Sequence, residues 1–411
     1  MRYQNLLGIG GSGYSGEASA QDRTVQYDGA VPTREPIRVL WVIKGLGPGG
    51  AEQLLVNAAR VHDRSRFEIE CAYVIPWKDH LAEPLTRAGV RVRCLSTSRS
   101  DRRWPLALRA LIRDGRFDVV HVHSPLPGAV ARLVVKTLPR STRPEVVTTE
   151  HNAWGTFAVP TRWINRLTIR GDRAVIAVSD EARQSMRGPT ARRAETLAHG
   201  VDVAGIAALR AEREVVRAEL GIGLDELVIG TVANYRAQKD YPNLLHAARV
   251  LADRGVSARV VAVGQGPLET DILRLRDELD LRERVLLTGF RADATRVMAA
   301  CDVFTLASKF EGLPVALMEA LALGLPVVAT AVGGIAEALG DGEAMLVPPS
   351  DPAPLAEGWM QLIEHPDRRA GLAESSVRVA PRFDVRRAVD RLEQVYTASR
   401  APPWPILPAV V

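Results

Sequence analysis

Short apolar runs alternate with amphipathic segments along most of this chain, a pattern typical of an α/β fold. In the first half, the runs that predict buried strands are IRVLWVI, FEIECAYVI, VRVRCL, DVVHVH, EVVTTEH and AVIAVS. In the second half, a new cycle of strands is predicted by LVIGTVANY, ARVVAVGQG, RVLLTGF, DVFTLAS, PVVAT and AMLVPP. Because the runs are apolar almost throughout and helical segments separate them, they predict two doubly wound parallel sheets in tandem.

The two cycles and the chain ends define the expected organisation. The first cycle opens with a strand, a glycine turn and an amphipathic helix in IRVLWVIKGLGPGGAEQLLVNAARVH, and it ends near residue 200. Residues 1–36 make a poor signal peptide, since glycines and serines interrupt their apolar stretch, and we expect a disordered tail there. After a last helical segment, RFDVRRAVDRLEQVYTASR, the prolines of residues 401–411 predict an unfolded tail.

Composition places the chain among ordinary soluble globular proteins. It has 411 residues, of which 46% are hydrophobic and 25% are charged, enough for two domains and tails. Cys71, Cys94 and Cys301 are few and odd in number, so we expect reduced core thiols of a cytoplasmic protein. The longest uncharged run, residues 320–336, is interrupted by glycines and a proline and does not predict a membrane span.

Charge is unevenly distributed between the two halves. Residues 37–200 contain 27 Lys and Arg against 15 Asp and Glu, a net +12, whereas the rest has 26 against 33, a net −7. The bases cluster with Trp and Leu in RVRCLSTSRSDRRWPLALRALIR and PTRWINRLTIRGDR. Such stretches suit an anionic membrane surface or an acidic, lipid-linked substrate, and a solvated basic face is the alternative. Because no nucleic-acid reading motif accompanies the charge, nucleic acid is not an expected partner.

The segment KFEGLPVALMEA at residues 309–320 carries the most specific chemistry. It sets Glu311 and Glu319 eight positions apart, with Gly312 and Pro314 before an apolar helix start. A strand precedes this segment and another strand follows it, ending in a second glycine pair, Gly333-Gly334. Free amides at the helix start can hold a diphosphate, and both carboxylates can accept hydrogen bonds from sugar hydroxyls. The segment therefore predicts a site for a phosphorylated sugar, and an ordinary βαβ unit with solvated glutamates is the alternative.

Other polar residues and glycines also follow predicted strands. Ligands of open parallel sheets bind outside the carboxyl ends of the strands, so two facing sheets would form a cleft lined by such residues. The candidates at strand ends are Gly49, Gly50, His121, His123, His151, Arg236, Lys239, Gly264 and Glu311.

Several motifs occur together in one order and resemble the retaining glycosyltransferases of family 4. They are GLGPGGAEQ, DVVHVHSPLPGAVARL, VVTTEHNAW, HGVD, GTVANYRAQKDYPNLLHAA, VAVGQGPLETDI, VLLTGF, FEGLPVALMEALALGLPVVATAVGGIAEAL and DGEAMLVPPSDP. The resemblance runs over residues 37–396. It implies a GT-B fold, with an acceptor domain at 37–203, a nucleotide-sugar domain at 204–381 and a final helix at 382–400 that crosses back to the first domain.

The resemblance also implies the roles of individual residues. Glu311 resembles the glutamate that contacts the hydroxyls of the donor sugar, and Glu319 the one that holds the ribose. Lys239 matches the lysine that neutralises the leaving diphosphate, and His151 lies near the reacting carbon. Backbone contacts to the donor are implied for Gly49, Gly50, Gly264, Gly312, Leu313, Pro314 and Val315, and the acceptor side for His121, His123 and Ser124.

Two positions depart from the common family pattern. Asn234 stands where an arginine is usual, and Arg236 offers a cation two positions later, so we assign both to the donor site. His199 replaces the asparagine of the usual Asn-Gly-Val-Asp junction, a change expected to affect interdomain packing more than chemistry.

The implied reaction is retaining transfer of a sugar from a nucleotide-diphosphate sugar to an acceptor hydroxyl, of class EC 2.4 and hexosyltransferase type. Lys239, Arg236 and the helix start would stabilise the leaving diphosphate. No Asp-x-Asp pair occurs in the chain, so we expect no metal and no cofactor. The basic first half favours a lipid-linked or polyanionic acceptor in cell-envelope, exopolysaccharide or glycolipid synthesis. We expect a cytoplasmic enzyme, peripheral at the inner face of the membrane.

Some of the same residues are compatible with other functions. Gly45, Gly47 and Gly50 fit a dinucleotide fingerprint, but Pro48 lies inside that loop and the following acidic residues fall within the next strand. His121 and His123 share one strand face without a third metal ligand nearby, so polar lining of the cleft is the preferred interpretation. A nucleotide-sugar epimerase on the same fold and a non-catalytic nucleotide-sugar-binding module remain alternatives.

Overall fold

Two parallel β-sheets organise the molecule. The structure is a computed structural model, and it describes residues 35–399. The first sheet contains seven strands: β1 (Ile37–Ile43), β2 (Phe67–Tyr73), β3 (Arg91–Cys94), β4 (Val119–Val122), β5 (Glu145–Glu150), β6 (Ala174–Ala177) and β7 (Glu195–Thr196). Their order across the sheet is β3-β2-β1-β4-β5-β6-β7, and neighbouring strands are parallel.

The second sheet repeats this arrangement with six strands. They are β8 (Val228–Val232), β9 (Arg259–Val263), β10 (Val285–Gly289), β11 (Val303–Leu306), β12 (Val327–Thr330) and β13 (Met345–Val347). Their order is β10-β9-β8-β11-β12-β13, again with parallel neighbours. In each sheet the strand order reverses direction beside the first strand, at β1 and β4 and at β8 and β11. Such switch points are where doubly wound sheets bind ligands.

Helices connect the strands. The helices of the first half are α1 (Gly50–Val61), α2 (Ala82–Arg87), α3 (Trp104–Gly115), α4 (Pro125–Lys136), α5 (Val159–Thr168), α6 (Asp180–Ser185) and α7 (Gly188–Arg193). Those of the second half are α8 (Val203–Ala208), α9 (Arg213–Glu219), α10 (Tyr241–Asp253), α11 (Glu269–Glu278), α12 (Ala294–Met298), α13 (Val315–Ala322), α14 (Gly333–Ala338), α15 (Pro352–Glu364), α16 (Pro366–Val379) and α17 (Val385–Ala398). Short 3-10 helices occupy Arg140–Thr142, Trp154–Thr156, Ile169–Gly171, Leu209–Glu212, Ala237–Lys239 and Ala380–Phe383. We call β1–β7 with α1–α7 the first lobe and β8–β13 with α8–α16 the second lobe.

Burial explains why the strand runs are apolar throughout. The central strands β4, β11 and β12 are buried along their whole length, because helices cover both faces of each sheet. Each fully buried valine, leucine or phenylalanine there contributes about 1.5–3 kcal/mol of burial free energy. The predicted fold class, two Rossmann-like domains with parallel sheets, is confirmed.

The strand predictions agree with the structure at the level of individual runs. Every apolar run proposed as a strand contains one, and β7, a two-residue edge strand, is the strand of residues 35–399 that was not predicted. Cys71 and Cys301 are buried, but Cys94 is exposed, so the expectation of a core thiol is wrong there. Its strand, β3, lies at the sheet edge and is largely exposed. Apart from residues 35 and 36, the predicted tails at 1–36 and 401–411 lie outside the described residues.

The final helix, α17, returns to the first lobe and packs on α1 and β1. Tyr396 accepts a hydrogen bond from the Trp41 indole at 3.2 Å, and its hydroxyl lies 2.6 Å from Nδ1 of His121. Arg391 makes a bidentate ion pair with Glu195 at 2.7 and 2.8 Å. The predicted crossing helix is therefore confirmed, whereas the domain limits at 37–203 and 204–381 stay a prediction, since one compact unit extends from Pro36.

A buried ion pair holds α4 and α5 against the first sheet. The Arg132 guanidinium contacts Asp172 at 2.9 Å, and both side chains are almost fully buried. Arg132 also donates to Thr148 on β5 at 2.6 Å and to Asn165 on α5 at 2.7 Å. Because these hydrogen bonds satisfy both charges, the pair can stay buried and orient α5 relative to the strand that ends before His151.

The two lobes meet along the carboxyl ends of their strands. The Glu337 carboxylate on α14 accepts hydrogen bonds from the backbone amides of Asp180 at 2.6 Å and Glu181 at 2.7 Å, at the start of α6. The Asn57 amide of α1 donates at 3.4 Å to the carbonyl of Gly200, in the segment that connects the two lobes. These contacts enclose a cleft between the first and second lobes, and the predicted site residues lie around it.

Candidate functional site

Glu311 lies in the loop between β11 and α13, at the centre of the cleft. The Ser308 hydroxyl donates to its Oε1 at 2.6 Å, and the Lys239 ammonium forms an ion pair with the same oxygen. Thr330 in turn donates to the Ser308 carbonyl at 2.7 Å, which fixes the loop. Glu311 is 7% exposed. Since both contacts use Oε1, the second carboxylate oxygen can accept a hydrogen bond from a ligand.

Two glycines allow close backbone approach here, Gly312 in the carboxylate loop itself and Gly333 at the start of α14. A Cβ atom at Gly312 would lie 2.8 Å from the His151 carbonyl oxygen, so a side chain here would push the lobes apart. Gly333 has a φ of +46°, and a Cβ there would lie 2.0 Å from the Glu311 carbonyl oxygen. Glycine is needed at both positions because the backbones approach so closely.

Helix α13 starts immediately after the carboxylate loop. Pro314 is its N-cap, and the helix begins at Val315, the first residue of the apolar segment that the sequence predicts as helical. The backbone amides of Val315 and Ala316 have no carbonyl partner within the helix, as is usual at a helix start, whereas those of Leu317 and Met318 donate to the Pro314 carbonyl. The helix dipole favours an anion at this end. A diphosphate at this point would be held without any side-chain cation from α13 itself.

Glu319 lies one turn inside α13 and is partly buried. The Thr295 hydroxyl of α12 donates to its Oε1 at 2.9 Å. Burial raises the pKa of the Glu319 carboxyl to about 7, and the Thr295 hydrogen bond opposes that shift. In the unliganded protein this carboxyl is therefore half protonated near neutral pH.

Three cations interact electrostatically with Glu52 at the first turn of α1. Burial raises the pKa of Glu52, while the positive charges of Lys78, Arg236 and Lys44 oppose the shift. Arg236 comes from the second lobe, at the start of the 3-10 helix that ends in Lys239, so this cluster spans the cleft beside the Gly49–Gly50 loop. A diphosphate in the cleft would meet positive charge from both lobes.

The remaining predicted donor residues lie at the ends of β8 and β9. Asn234 is half-buried, and its carbonyl accepts from the Arg236 amide at 2.8 Å. The Gly264 amide donates to the Gly289 carbonyl at 3.0 Å. Val315 lies close to Gly50 of the first lobe, since a Cβ at that glycine would sit 3.3 Å from a Val315 methyl. The loops carrying these residues thus meet around one cleft.

Four histidines form a row from the interior of the first lobe to the cleft. Ring centroids are 4.0 Å apart between His121 and His123, 5.6 Å between His123 and His151, and 5.4 Å between His151 and His199. His123 Nδ1 lies 3.3 Å from His151 Nε2. Burial lowers the pKa of His151 to about 3 and that of His199 to about 4. At neutral pH these rings are uncharged hydrogen-bonding groups.

Two residues assigned to the acceptor side are already engaged elsewhere. His121 is fully buried, and its ring nitrogens are hydrogen-bonded with Tyr396 and with Thr149, the latter at 2.8 Å. The Ser124 hydroxyl accepts from the Lys44 amide at 3.0 Å. His123 is buried as well, but its Nε2 has no partner among the described residues. Of the three, His123 alone is placed with an unsatisfied ring nitrogen beside His151.

The structure adds residues to the site that the sequence did not reveal. Ser308 and Thr295 donate hydrogen bonds to Glu311 and Glu319, respectively. Glu52 interacts electrostatically with the cations, and Glu337 accepts a hydrogen bond from the opposite lobe. Ser308 follows β11 and Glu52 follows the first glycine loop, so a strand-end rule could have found both. Thr295 and Glu337 gave no such signal because tertiary packing alone brings them in.

Metal-ligating side chains are not clustered in this site. Within residues 35–399, no three His, Cys, Asp or Glu side chains are arranged to hold a metal ion. In the histidine row, each ring lies 4.0–5.6 Å by its centroid from the next, and His123 Nδ1 is 3.3 Å from His151 Nε2.

Comparison with known families accounts for this geometry. A family described as Glycosyltransferase Family 4 matches residues 48–204, and one described as Glycosyl transferases group 1 matches residues 212–378. The chain belongs to glycosyltransferase family 4. The two matches cover most of both lobes of this glycosyltransferase and include Glu311, Lys239 and His151.

Curated relatives of this glycosyltransferase carry the same activity in their names. EpsF of Bacillus subtilis (strain 168), named as a glycosyltransferase, is 29% identical over 312 residues, which are 71% of this chain and 78% of EpsF. The UDP-Gal:alpha-D-GlcNAc-diphosphoundecaprenol alpha-1,3-galactosyltransferase of Escherichia coli is 23% identical over 304 residues, 69% of this chain and 77% of that protein.

Solved structures of low identity share the fold of this glycosyltransferase. Anabaena HepE, crystallised in complex with UDP-glucose, superposes with a TM-score of 0.76 at 22% identity and covers 88% of this chain and 100% of its own. This likeness confirms the GT-B arrangement of the two lobes.

Proposed function

We propose that this glycosyltransferase moves a sugar, with retention, from a nucleotide-diphosphate sugar to an acceptor hydroxyl in cell-envelope, exopolysaccharide or glycolipid synthesis. The observation that carries the proposal is the contact of Glu311 with Lys239 and Ser308 at the start of α13, opposite His151. A carboxylate, an ammonium and helix amides at one point fit a sugar joined to a diphosphate.

Each part of the cleft would bind one part of the donor. Glu311 accepts hydrogen bonds from the sugar hydroxyls, and Glu319 accepts them from the ribose. Lys239, Arg236 and the α13 amides contact the diphosphate. This order follows the chain from Glu311 to Glu319 along α13, so sugar, diphosphate and ribose lie in sequence.

The chemical step breaks the bond between the anomeric carbon and the β-phosphate oxygen, and the electron pair leaves with that oxygen. Lys239, Arg236 and the helix start stabilise the negative charge that develops there. The acceptor oxygen attacks the same face of the sugar and loses its proton to the departing phosphate oxygen. His151, uncharged at neutral pH, acts as a hydrogen-bonding group near the sugar and not as a cation.

Relatives support a nucleotide-sugar donor and a lipid-linked or glycan acceptor. The Escherichia coli relative is named for UDP-Gal as donor and for an acceptor sugar on diphosphoundecaprenol. HepE was crystallised with UDP and with UDP-glucose. An epimerase or a binding module on this fold would use the same donor pocket, so activity with an acceptor separates the three functions.

Nucleotide-diphosphate sugars are expected to raise the melting temperature of the protein. A ligand that binds only the folded state at 100 times its Kd stabilises that state by about 2.7 kcal/mol. The measurement is a thermal-shift screen over nucleoside diphosphates and their sugars, with nucleoside monophosphates as controls. A screen in which no diphosphate shifts the transition would refute the donor assignment. Incubation of the best donor alone, followed by chromatography, reveals an epimerase by its isomerised product.

Membrane association is a second part of the proposal. Helices α3, α4 and α5 pack side by side on the first lobe and carry both basic segments noted in the sequence. Their exposed large apolar side chains are Leu106, Leu126, Leu133, Val159, Trp163 and Leu167. No described helix has the length and apolarity needed to cross a bilayer. Apolar side chains beside arginines suit the surface of an anionic membrane.

The protein is expected to sediment with vesicles that contain anionic phospholipid and to stay in the supernatant with neutral vesicles. Each Lys or Arg near an anionic surface contributes about 1 kcal/mol at physiological salt, and this attraction is screened at higher salt. Equal binding to both vesicle types, or binding to neither, would remove the electrostatic argument. We propose a cytoplasmic location at the inner face of the membrane on this basis.

A further inference from the structure

A groove of about 620 Å³ lies on the first lobe, beside the cleft. One wall is the 3-10 helix at Trp154–Thr156 with α5, and the other is α6 and the turn after it. The side chains of Arg162, Trp163, Arg166, Glu181 and Arg187 line it. None of these residues belongs to the donor site described above.

The groove carries excess positive charge. It contains three arginines against one glutamate, and none of the three arginines forms an ion pair with any residue between 35 and 399. Arg166 stacks over the Trp163 ring at 5.9 Å. Unpaired guanidinium groups in a concave site favour a phosphate ligand, which accepts bidentate hydrogen bonds from them.

Helix α5 turns its apolar side chains outward. Its buried residues are polar, because Asn165 and Thr168 face the Arg132 guanidinium. Val159, Trp163 and Leu167 recur every four residues on the outer side and are 54%, 59% and 68% exposed. A helix with its polar face buried and its apolar face open is unusual for a soluble surface, and the exposed stripe needs an apolar partner.

The other end of the groove reaches the donor pocket. Glu181 Oε2 would lie 2.4 Å from a Cβ placed on Gly333, and that same Cβ would lie 2.0 Å from the Glu311 carbonyl oxygen. A single continuous surface therefore joins the apolar stripe of α5, the arginines of the groove and the loop that carries Glu311.

We propose that this groove binds the acceptor, and that the acceptor is a sugar joined to a lipid through phosphate. Arg162, Arg166 and Arg187 bind the phosphate, the α5 stripe contacts the start of the lipid chain, and Glu181 accepts a hydrogen bond from a sugar hydroxyl other than the one that reacts. The inference rests on the proposed function, since this binding delivers the reacting hydroxyl to the donor sugar beside Glu311.

The test uses the full chain and measures binding of farnesyl phosphate by isothermal titration calorimetry in the absence of any donor. We expect the Arg162→Ala/Arg166→Ala variant to bind it about tenfold more weakly than the wild type, because two charge-assisted contacts are lost. The matched control is Arg102→Ala/Arg140→Ala, which removes two exposed arginines of the same lobe outside the groove. Quenching of tryptophan fluorescence that disappears in Trp163→Phe would place the ligand in the groove.

Several outcomes would overturn the proposal. If farnesol binds as tightly as farnesyl phosphate, the groove recognises only the apolar chain. If inorganic phosphate binds as tightly as farnesyl phosphate, the groove is a phosphate site in which lipid has no role. If the groove variant and the control variant bind farnesyl phosphate with equal affinity, Arg162 and Arg166 do not bind the phosphate. Thermal shifts with nucleotide sugars are measured on the wild type and on the same variants. If nucleotide sugars do not shift the melting temperature of the wild type, the result counts against the proposed function and not against the groove.

Discussion

Replacing Glu311 by alanine is expected to lower kcat/KM for glycosyl transfer by about 10²- to 10³-fold, or about 2.7–4 kcal/mol of transition-state stabilisation. The carboxylate holds Lys239 and Ser308. Its removal would lose the proposed contact to the donor sugar and would also release the ammonium that we propose for the diphosphate. The measurement is the steady-state rate at several donor concentrations, with the melting temperature recorded to confirm folding.

Glu311→Gln separates the charge from the shape of this side chain. The amide keeps a carbonyl oxygen for the Ser308 hydroxyl but loses the ion pair with Lys239, so we expect an activity between wild type and alanine variant. Glu374→Gln, at an exposed position of α16, removes one carboxylate far from the cleft and serves as the control. Full activity of Glu311→Ala would show that the site assignment is wrong.

The contact between lobes explains why the cleft needs residues from both halves of the chain. Gly312 lies against the His151 carbonyl, and Glu337 caps the start of α6 from the opposite lobe. Arg236 approaches Glu52 across the same gap. The pocket that we propose for the donor therefore exists in this form only while the lobes are in contact, and binding of a donor between them would favour that contact.

The fold could be predicted from the sequence because central parallel strands are buried on both faces. Strands such as β11 and β12 are apolar over their whole length, and their carboxyl ends mark the ligand side of the sheet. That rule placed Glu311, Lys239 and His151 near one cleft, and the structure brings them there.

Other features could not be predicted because they depend on pairs far apart in the chain. His121 bonds to Tyr396, which is 275 residues away, so its strand-end position suggested a cleft residue although the side chain is buried. The polar inner face of α5 follows from Arg132 on another helix. Cys94 is exposed because β3 forms the sheet edge, which the apolar run alone does not reveal.

Donor binding is expected to release a proton from Glu319 and to become tighter as the pH rises towards 7. In the unliganded protein burial raises the pKa of this carboxyl to about 7, so below that pH it is mostly protonated. The ribose hydroxyls bind the ionised form, which lowers the pKa in the complex. By linkage, affinity increases about tenfold per pH unit between the two pKa values and levels off above 7.

Calorimetric titration of a nucleotide-diphosphate sugar at pH 6, repeated in buffers of different ionisation enthalpy, gives the number of protons released. We expect close to one for the wild type and close to zero for Glu319→Gln, whose affinity also becomes independent of pH between 5 and 7. The sugar nucleotide is used instead of the diphosphate because a terminal phosphate itself titrates at about pH 6.

The neighbouring titratable groups make this assignment testable. His151 and His199 have pKa values of about 3 and 4, so they stay neutral throughout the range. Glu150 is the other carboxyl of residues 35–399 whose pKa burial raises to about 7, but it lies in the first lobe at the end of β5. If proton release persists in Glu319→Gln and disappears in Glu150→Gln, the proton that is released on donor binding comes from Glu150. That result would refute the ribose contact at Glu319.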